Sequence, residues 1–162
     1  MRKRASITVS TFVALSLALG VSFVPSTAQA QMIDKTATAG VYSVTLKVMP
    51  AESFSGTHPE MVRDAGAKPN MLNGPVHPNR HIVAFVKENG KPVENAKVVM
   101  KYRELSPSNG KWVRVPVVRM HMGGKGLETT HYGNNLKLDA GSYEVSVTVN
   151  GSKAAIFQFS LT

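Results

Sequence analysis

The 162-residue chain has no cysteine, so neither a disulfide framework nor a thiolate metal site can be built from it. Stability must come from the core alone, and any soft metal ligand must be a methionine. Acidic residues are few, ten against nineteen Lys and Arg, and they are scattered singly. The sequence holds no zinc-protease His-Glu motif and no phosphate-cradling glycine loop, and isolated residues define no nucleophile-base arrangement. Catalysis therefore has no footing, and a binding role rather than an enzyme is expected. No segment shows a helical period either, and nothing after residue 30 approaches the roughly 20 apolar residues that span a bilayer.

What is present begins with Met1-Arg2-Lys3-Arg4, an uncharged apolar run from Ala5 to Val24, Pro25, and the small-residue pattern Ala28-Gln29-Ala30. A basic start, an apolar middle and an A-x-A site make a secretory leader, expected to be cleaved near Ala30. Residues 31–162 then form a single exported domain, periplasmic in a cell with two membranes. Loss of Arg2, Lys3 and Arg4 lowers the formal charge from +9 to +6, because all ten acids lie beyond the leader. That charge suits an anionic membrane surface or envelope polymer better than nucleic acid. The lysines are spread along the chain, however, and that favours a solvated basic surface that aids solubility over a binding patch.

From Val41 onward polarity alternates with a period of two. Val44, Leu46 and Val48 alternate with Ser43, Thr45 and Lys47; Tyr143, Val145, Val147 and Val149 with Glu144, Ser146 and Thr148; and Ala155, Phe157, Phe159 and Leu161 line one side of a last strand. Turn sequences intervene at Asn89-Gly90, Asn109-Gly110, Asp139-Ala140-Gly141 and Asn150-Gly151. The pattern predicts an all-β fold, an antiparallel immunoglobulin-like β-sandwich of about seven strands. Residues 50–79 break the rhythm with five prolines and read as one long irregular loop, carrying His58, Met61, Met71 and His77. It is either part of a site or an insertion folded over one end of the sandwich.

The stretch VRMHMGGKGLETTHYGNN, residues 118–135, places Met120, His121, Met122 and His131 around a Gly-rich turn. Trp112 to Met120 reads as one strand with Val113, Val115 and Val117 facing one way. If it stays extended to Met122, Met120 and Met122 share a face and His121 takes the other. Met120 or Met122 with His131 would then meet across adjacent segments, and thioether plus imidazole suits copper. The alternative is ordinary: methionines at strand spacing fill core gaps, and a histidine beside a tyrosine satisfies a sheet edge.

The run VVMKYRE, then VPVVRMHM, the Gly-rich loop, HYGNNLKL and GSYEVSVTV resembles the periplasmic iron-transport family, small exported immunoglobulin-like proteins that partner a membrane iron permease. The likeness spans roughly residues 80–150. It implies a copper-binding site linked to ferrous-iron uptake, with Met122 and His131 as matching ligands and His81 in RHIVAFV as a third; Met120 or His121 are the substitutes. The family's carboxylate two residues beyond the early histidine is replaced by Val83, and no histidine follows Tyr132, which tells against iron more than copper. ENGKPVENAKVVM also resembles the YtkA-like exported domains. Expected partners are a metal ion, an inner-membrane metal permease and a second copy of the chain, without nucleic acid. The competing expectation is a metal-free interaction module of an envelope complex.

Overall fold

A computed structural model describes residues 31–54, 68–72, 75, 77–105 and 110–162. The proposed leader, and His58 and Met61 of the long loop, lie outside them. The chain order is β1 (Ile33–Ala39), β2 (Tyr42–Pro50), β3 (Arg80–Glu88), β4 (Lys91–Pro92), β5 (Val98–Glu104), β6 (Val113–Arg114), β7 (Val118–Met120), a 3-10 turn (Leu127–Thr129), β8 (His131–Leu136), β9 (Gly141–Val149) and β10 (Ala155–Leu161). Among these, β1, β2, β3, β5, β8, β9 and β10 are six residues or longer, which matches the seven strands expected from the alternation. Strands β1-β2-β3-β8-β7 form one antiparallel sheet with β4 added on β3, and β10-β9-β5-β6 form the other. The molecule is therefore an all-β sandwich.

Period-two patterning places the core between the sheets. Val44, Leu46 and Val48 on β2 and Ile82, Ala84 and Val86 on β3 are buried against Val145, Val147 and Val149 on β9 and Phe157 and Phe159 on β10. Burying each such side chain contributes about 1.5–3 kcal/mol, so this layer dominates stability. Tight turns set the hairpins. Asn89-Gly90 and Asn150-Gly151 have φ of 50° and 79° and of 50° and 77°, the left-handed pair that matches the strand twist. The Tyr143 hydroxyl donates to the Asp139 carbonyl (2.9 Å), pinning the corner where the chain passes from β8 to β9.

One sequence expectation is corrected here. Trp112 to Met120 is not a continuous strand: β6 pairs with β5 in one sheet, β7 pairs with β8 in the other, and the chain crosses over through Val115-Pro116-Val117. Pro116 has no N–H to donate to a ladder, which suits it to the crossover. Val115 enters the core while Val113 is left on the surface. Strand β7 also ends at Met120, so the extended geometry does not reach Met122.

Two strands depart from the half-buried rule. In β3, residues 81–84 are all buried, and every residue of β8 is buried. A strand buried on both faces needs a layer on each side. The sandwich core is one; the other lies on the outward face of the first sheet.

Candidate metal centre

The outward layer is laid out by register. Met49 on β2 stands opposite His81 on β3, which stands opposite Asn135 on β8. Val83 stands opposite Gly133, itself opposite Val118 on β7. In the next row His131 stands opposite Met120. Alternation puts His81, Val83 and Phe85 on one face of β3, and His131, Gly133 and Asn135 on the same face of β8. Val83, Val118 and Met120 form a buried apolar cluster with Met49, Phe54 and Phe85 packed around it.

The sequence motif His131-Tyr132-Gly133 has one task per residue. His131 faces out into this layer. Tyr132 faces the core, where its hydroxyl donates to the Val93 carbonyl (2.6 Å) and accepts from the Ala96 amide (2.9 Å), fixing the β4–β5 connection. At Gly133 a Cβ would run into the Ile82 carbonyl oxygen and crowd the Val83 backbone, so only glycine lets β3 and β8 approach this closely.

The two histidine rings lie 6.0 Å apart, centroid to centroid, edge to face. His81 is 1% exposed and His131 7%. The His131 Nδ1 is 2.8 Å from the Thr129 carbonyl, which can only accept, so Nδ1 carries the proton. The His81 Nδ1 is 2.9 Å from the Asn135 Oδ1. That amide is oriented by its other end, because Nδ2 donates to the Glu52 carbonyl (2.8 Å) and to the Asn70 carbonyl (2.9 Å). His81 Nδ1 is therefore also the protonated nitrogen. Each ring is left with an Nε2 lone pair that has no hydrogen bond among the described residues.

Burial lowers the pKa of both rings below the usual 6.5. For His81 the Glu52 charge and the Asn135 hydrogen bond oppose that effect, and for His131 the Thr129 hydrogen bond does, while the neighbouring histidines, His81 and His121, reinforce it. Both imidazoles are neutral at neutral pH, the form in which the nitrogen coordinates. Two Nε2 ligands on one ion at about 2.0–2.1 Å would hold ring centroids about 5 to 6.5 Å apart, and the observed spacing lies in that range.

The layer has a cover. Residues 51–54 continue from β2 across it, with the Phe54 ring 5.8 Å from His81 and edge-on. The Glu52 amide donates to the Asn135 Oδ1 (3.2 Å), and Asn70 is held by Asn134 and Asn135 (2.8 Å each). Glu52 is exposed, and its charge acts on both histidines.

Of the residues singled out in the sequence, His81, His131 and Met120 come together on this face. His121 sits at the end of β7, close enough for its charge to act on His131. Met122 is 43% exposed at the start of the Gly-rich loop, its amide held by the Thr129 hydroxyl (3.0 Å). His77 is exposed and belongs to no part of the layer. Among the described residues no three His, Cys, Asp or Glu side chains converge on one point, so a three-donor set drawn from them would include a donor of another kind, such as a thioether. Sequence reasoning passed over Asn134, Asn135 and Glu52.

No protein-family model and no curated protein sequence matches the chain. Solved structures do match in shape. The copper-reconstituted P19 protein of Campylobacter jejuni aligns with a TM-score of 0.57 and 8% identity over 82% of this chain and 97% of that one. A copper-bound single-residue variant of FetP from uropathogenic Escherichia coli strain F11 gives 0.55 and 11% over 82% and 98%. FetP as isolated after expression in the periplasm of E. coli gives 0.52 and 11% over 81% and 95%. At these identities what the chain shares with P19 and FetP is the fold.

Proposed function

We propose that the chain is a periplasmic metal-binding protein, a carrier or accessory in metal uptake or homeostasis, with copper as the favoured cargo and ferrous iron second. The observation that carries this reading is the pair of buried, neutral histidines 6.0 Å apart, each with Nδ1 engaged and Nε2 left for a ligand. Met120, opposite His131 and 4% exposed, adds a thioether on the same face. Two imidazoles and a thioether are a neutral, soft-to-intermediate set that favours copper, above all cuprous ion, over harder dications. The shape shared with copper-holding proteins supports the reading, and the leader-like residues 1–30 support export. The arrangement offers nitrogen and thioether donors to an ion, and a binder rather than an enzyme is proposed on that ground.

Elemental analysis of the protein isolated from the periplasm, beside a dialysed sample reloaded with copper, tests the proposal. One equivalent of copper is expected, and His131→Ala should weaken binding at least about tenfold, or 1.4 kcal/mol. Copper uptake that is absent, or that the loss of His131 leaves unchanged, would instead favour a metal-free interaction module.

A further inference from the structure

Asn135 stands at the junction of the layer and its cover. It is 0% exposed, and each polar atom of its side chain is in use: Oδ1 accepts from His81 Nδ1–H and from the Glu52 amide, while Nδ2 donates to the Glu52 and Asn70 carbonyls. Asparagine is depleted in strands, and here it is the penultimate residue of a buried one, beside a second fully buried asparagine. A buried amide with four hydrogen bonds in four directions cannot rotate without leaving several unsatisfied, each at a penalty of about 1–3 kcal/mol. Its orientation is thus set by the covering segment, and the proton position on His81 is set by that orientation.

We infer that Asn135 is the positioning residue of this face, a single amide that selects which nitrogen His81 presents and clamps residues 51–54 and Asn70 over it. The aspartate that could replace it sterically would accept from His81 but could not donate to the two carbonyls, whereas an apolar residue would do neither. Asparagine is the side chain of this size that does both. The inference rests on the metal-site reading only for its last consequence, a change in copper affinity; the proton position and the clamp are properties of the metal-free protein.

The test is nitrogen-15 NMR of the histidine rings in the metal-free protein, which distinguishes the two neutral forms of each ring. In the parent, both His81 and His131 should carry their proton on Nδ1. In Asn135→Ala, His81 should lose that preference while His131, held by the Thr129 carbonyl, keeps it and serves as the internal control for an intact fold. Asn135→Asp should keep the His81 proton on Nδ1 but speed amide hydrogen exchange at Glu52 and Asn70, separating the two roles. Copper affinity should fall about ten- to a hundredfold in Asn135→Ala, the usual effect of removing a partner behind a ligand. A parent His81 protonated on Nε2, or a proton position that Asn135→Ala does not move, overturns the inference. A proton that moves as expected in a protein that takes up no copper upholds it and overturns the metal-site reading alone.

Discussion

The two outward faces of the sandwich solve the same problem in opposite ways. On the second sheet, Arg103 binds Glu144 through two nitrogens (3.0 and 2.7 Å), Gln158 donates to the other carboxylate oxygen (2.7 Å), and the guanidinium lies 4.7 Å from the centre of the Trp112 ring. Ile156, Gln158 and Ser160 alternate outward, exposed. Much of this face is open to solvent, although Glu144 itself is buried beneath its partners. On the first sheet the outward face is covered over β3, β8 and β7, while β1 stays open with Asp34, Thr36 and Thr38 exposed, and Asn135 in the covered part is bonded at every polar atom. The lesson lies in what the covered face leaves over: two histidine nitrogens beside a buried methionine, in a layer where other polar groups have been matched.

The comparison can be broken most sharply at Gly133. Replacing it by Ala forces β3 and β8 apart at the floor of the covered face, an overpacking that cannot be relieved by a side-chain rotation, and stability should drop by about 3 kcal/mol. Denaturant unfolding measures it; a loss below about 1 kcal/mol would mean that the strands are not held as closely as described. Ser160→Ala on the open face, by contrast, should stay within about 0.5 kcal/mol.

The next largest effect separates the two methionines. Met120→Leu keeps apolar volume and removes sulfur beside His131, so copper affinity should fall at least about tenfold, 1.4 kcal/mol, with a small change in stability. Met122→Leu, on the exposed loop, should change affinity less than about threefold. The reverse order in competition titrations would move the site from the sheet face to the loop.

Acid should distinguish the faces in separate windows. The buried histidines have folded pKa values below 6.5, so as pH falls past 6.5 the unfolded chain binds protons that the folded chain does not. Their contribution is fully present above 6.5 and is lost as pH falls towards the lowered values, and copper should leave over the same range. His131→Gln should flatten this slope in the metal-free protein. Glu144 behaves differently: hydrogen bonds from Gln158 and Arg103 outweigh burial and lower its pKa below 4.5, so its contribution persists until the solution is more acidic still. A stability profile flat from about pH 7 to pH 5 would show that the histidines are not buried as neutral rings.

The ion pair of the open face should matter little. Arg103→Gln removes a partly exposed ion pair and should lower stability by less than about 1 kcal/mol, and by less again in high salt.

Much of the fold was legible because half-buried strands write their geometry as alternation: β2, β9 and β10 were read directly, and Asn89-Gly90 and Asn150-Gly151 located tight turns, while Asn109 lies outside the described residues. The Trp112–Met120 segment was misread because period two does not reveal a change of sheet, although Pro116 marked the place. In the candidate site, His131 was read from the Gly-rich stretch and again through the resemblance, His81 through the resemblance alone, and the choice between Met120 and Met122 depended on where β7 ends, which is decided by its pairing with β8. Two further marks were readable in principle. The unbroken apolar run Ile82-Val83-Ala84-Phe85-Val86 is what a strand covered on both faces looks like. The consecutive asparagines at 134 and 135 are costly in a strand unless something binds them. Glu52 carried no mark, since it belongs to a covering segment without periodicity.

The register that sets Met120 against His131 also divides the chain into a part that tolerates length changes and a part that does not. Residues 121–130 join the two strands without setting their phase, so a peptide tag or reporter spliced between Gly123 and Gly126 should leave the sheet face as it was. One residue removed from β7 or β8 would instead exchange the faces, sending Met120 or His131 towards the valines of the core. Insertions in the Gly-rich loop are therefore a practical route to attaching a probe beside the site, and single deletions within the flanking strands are the shortest route to inactivating it.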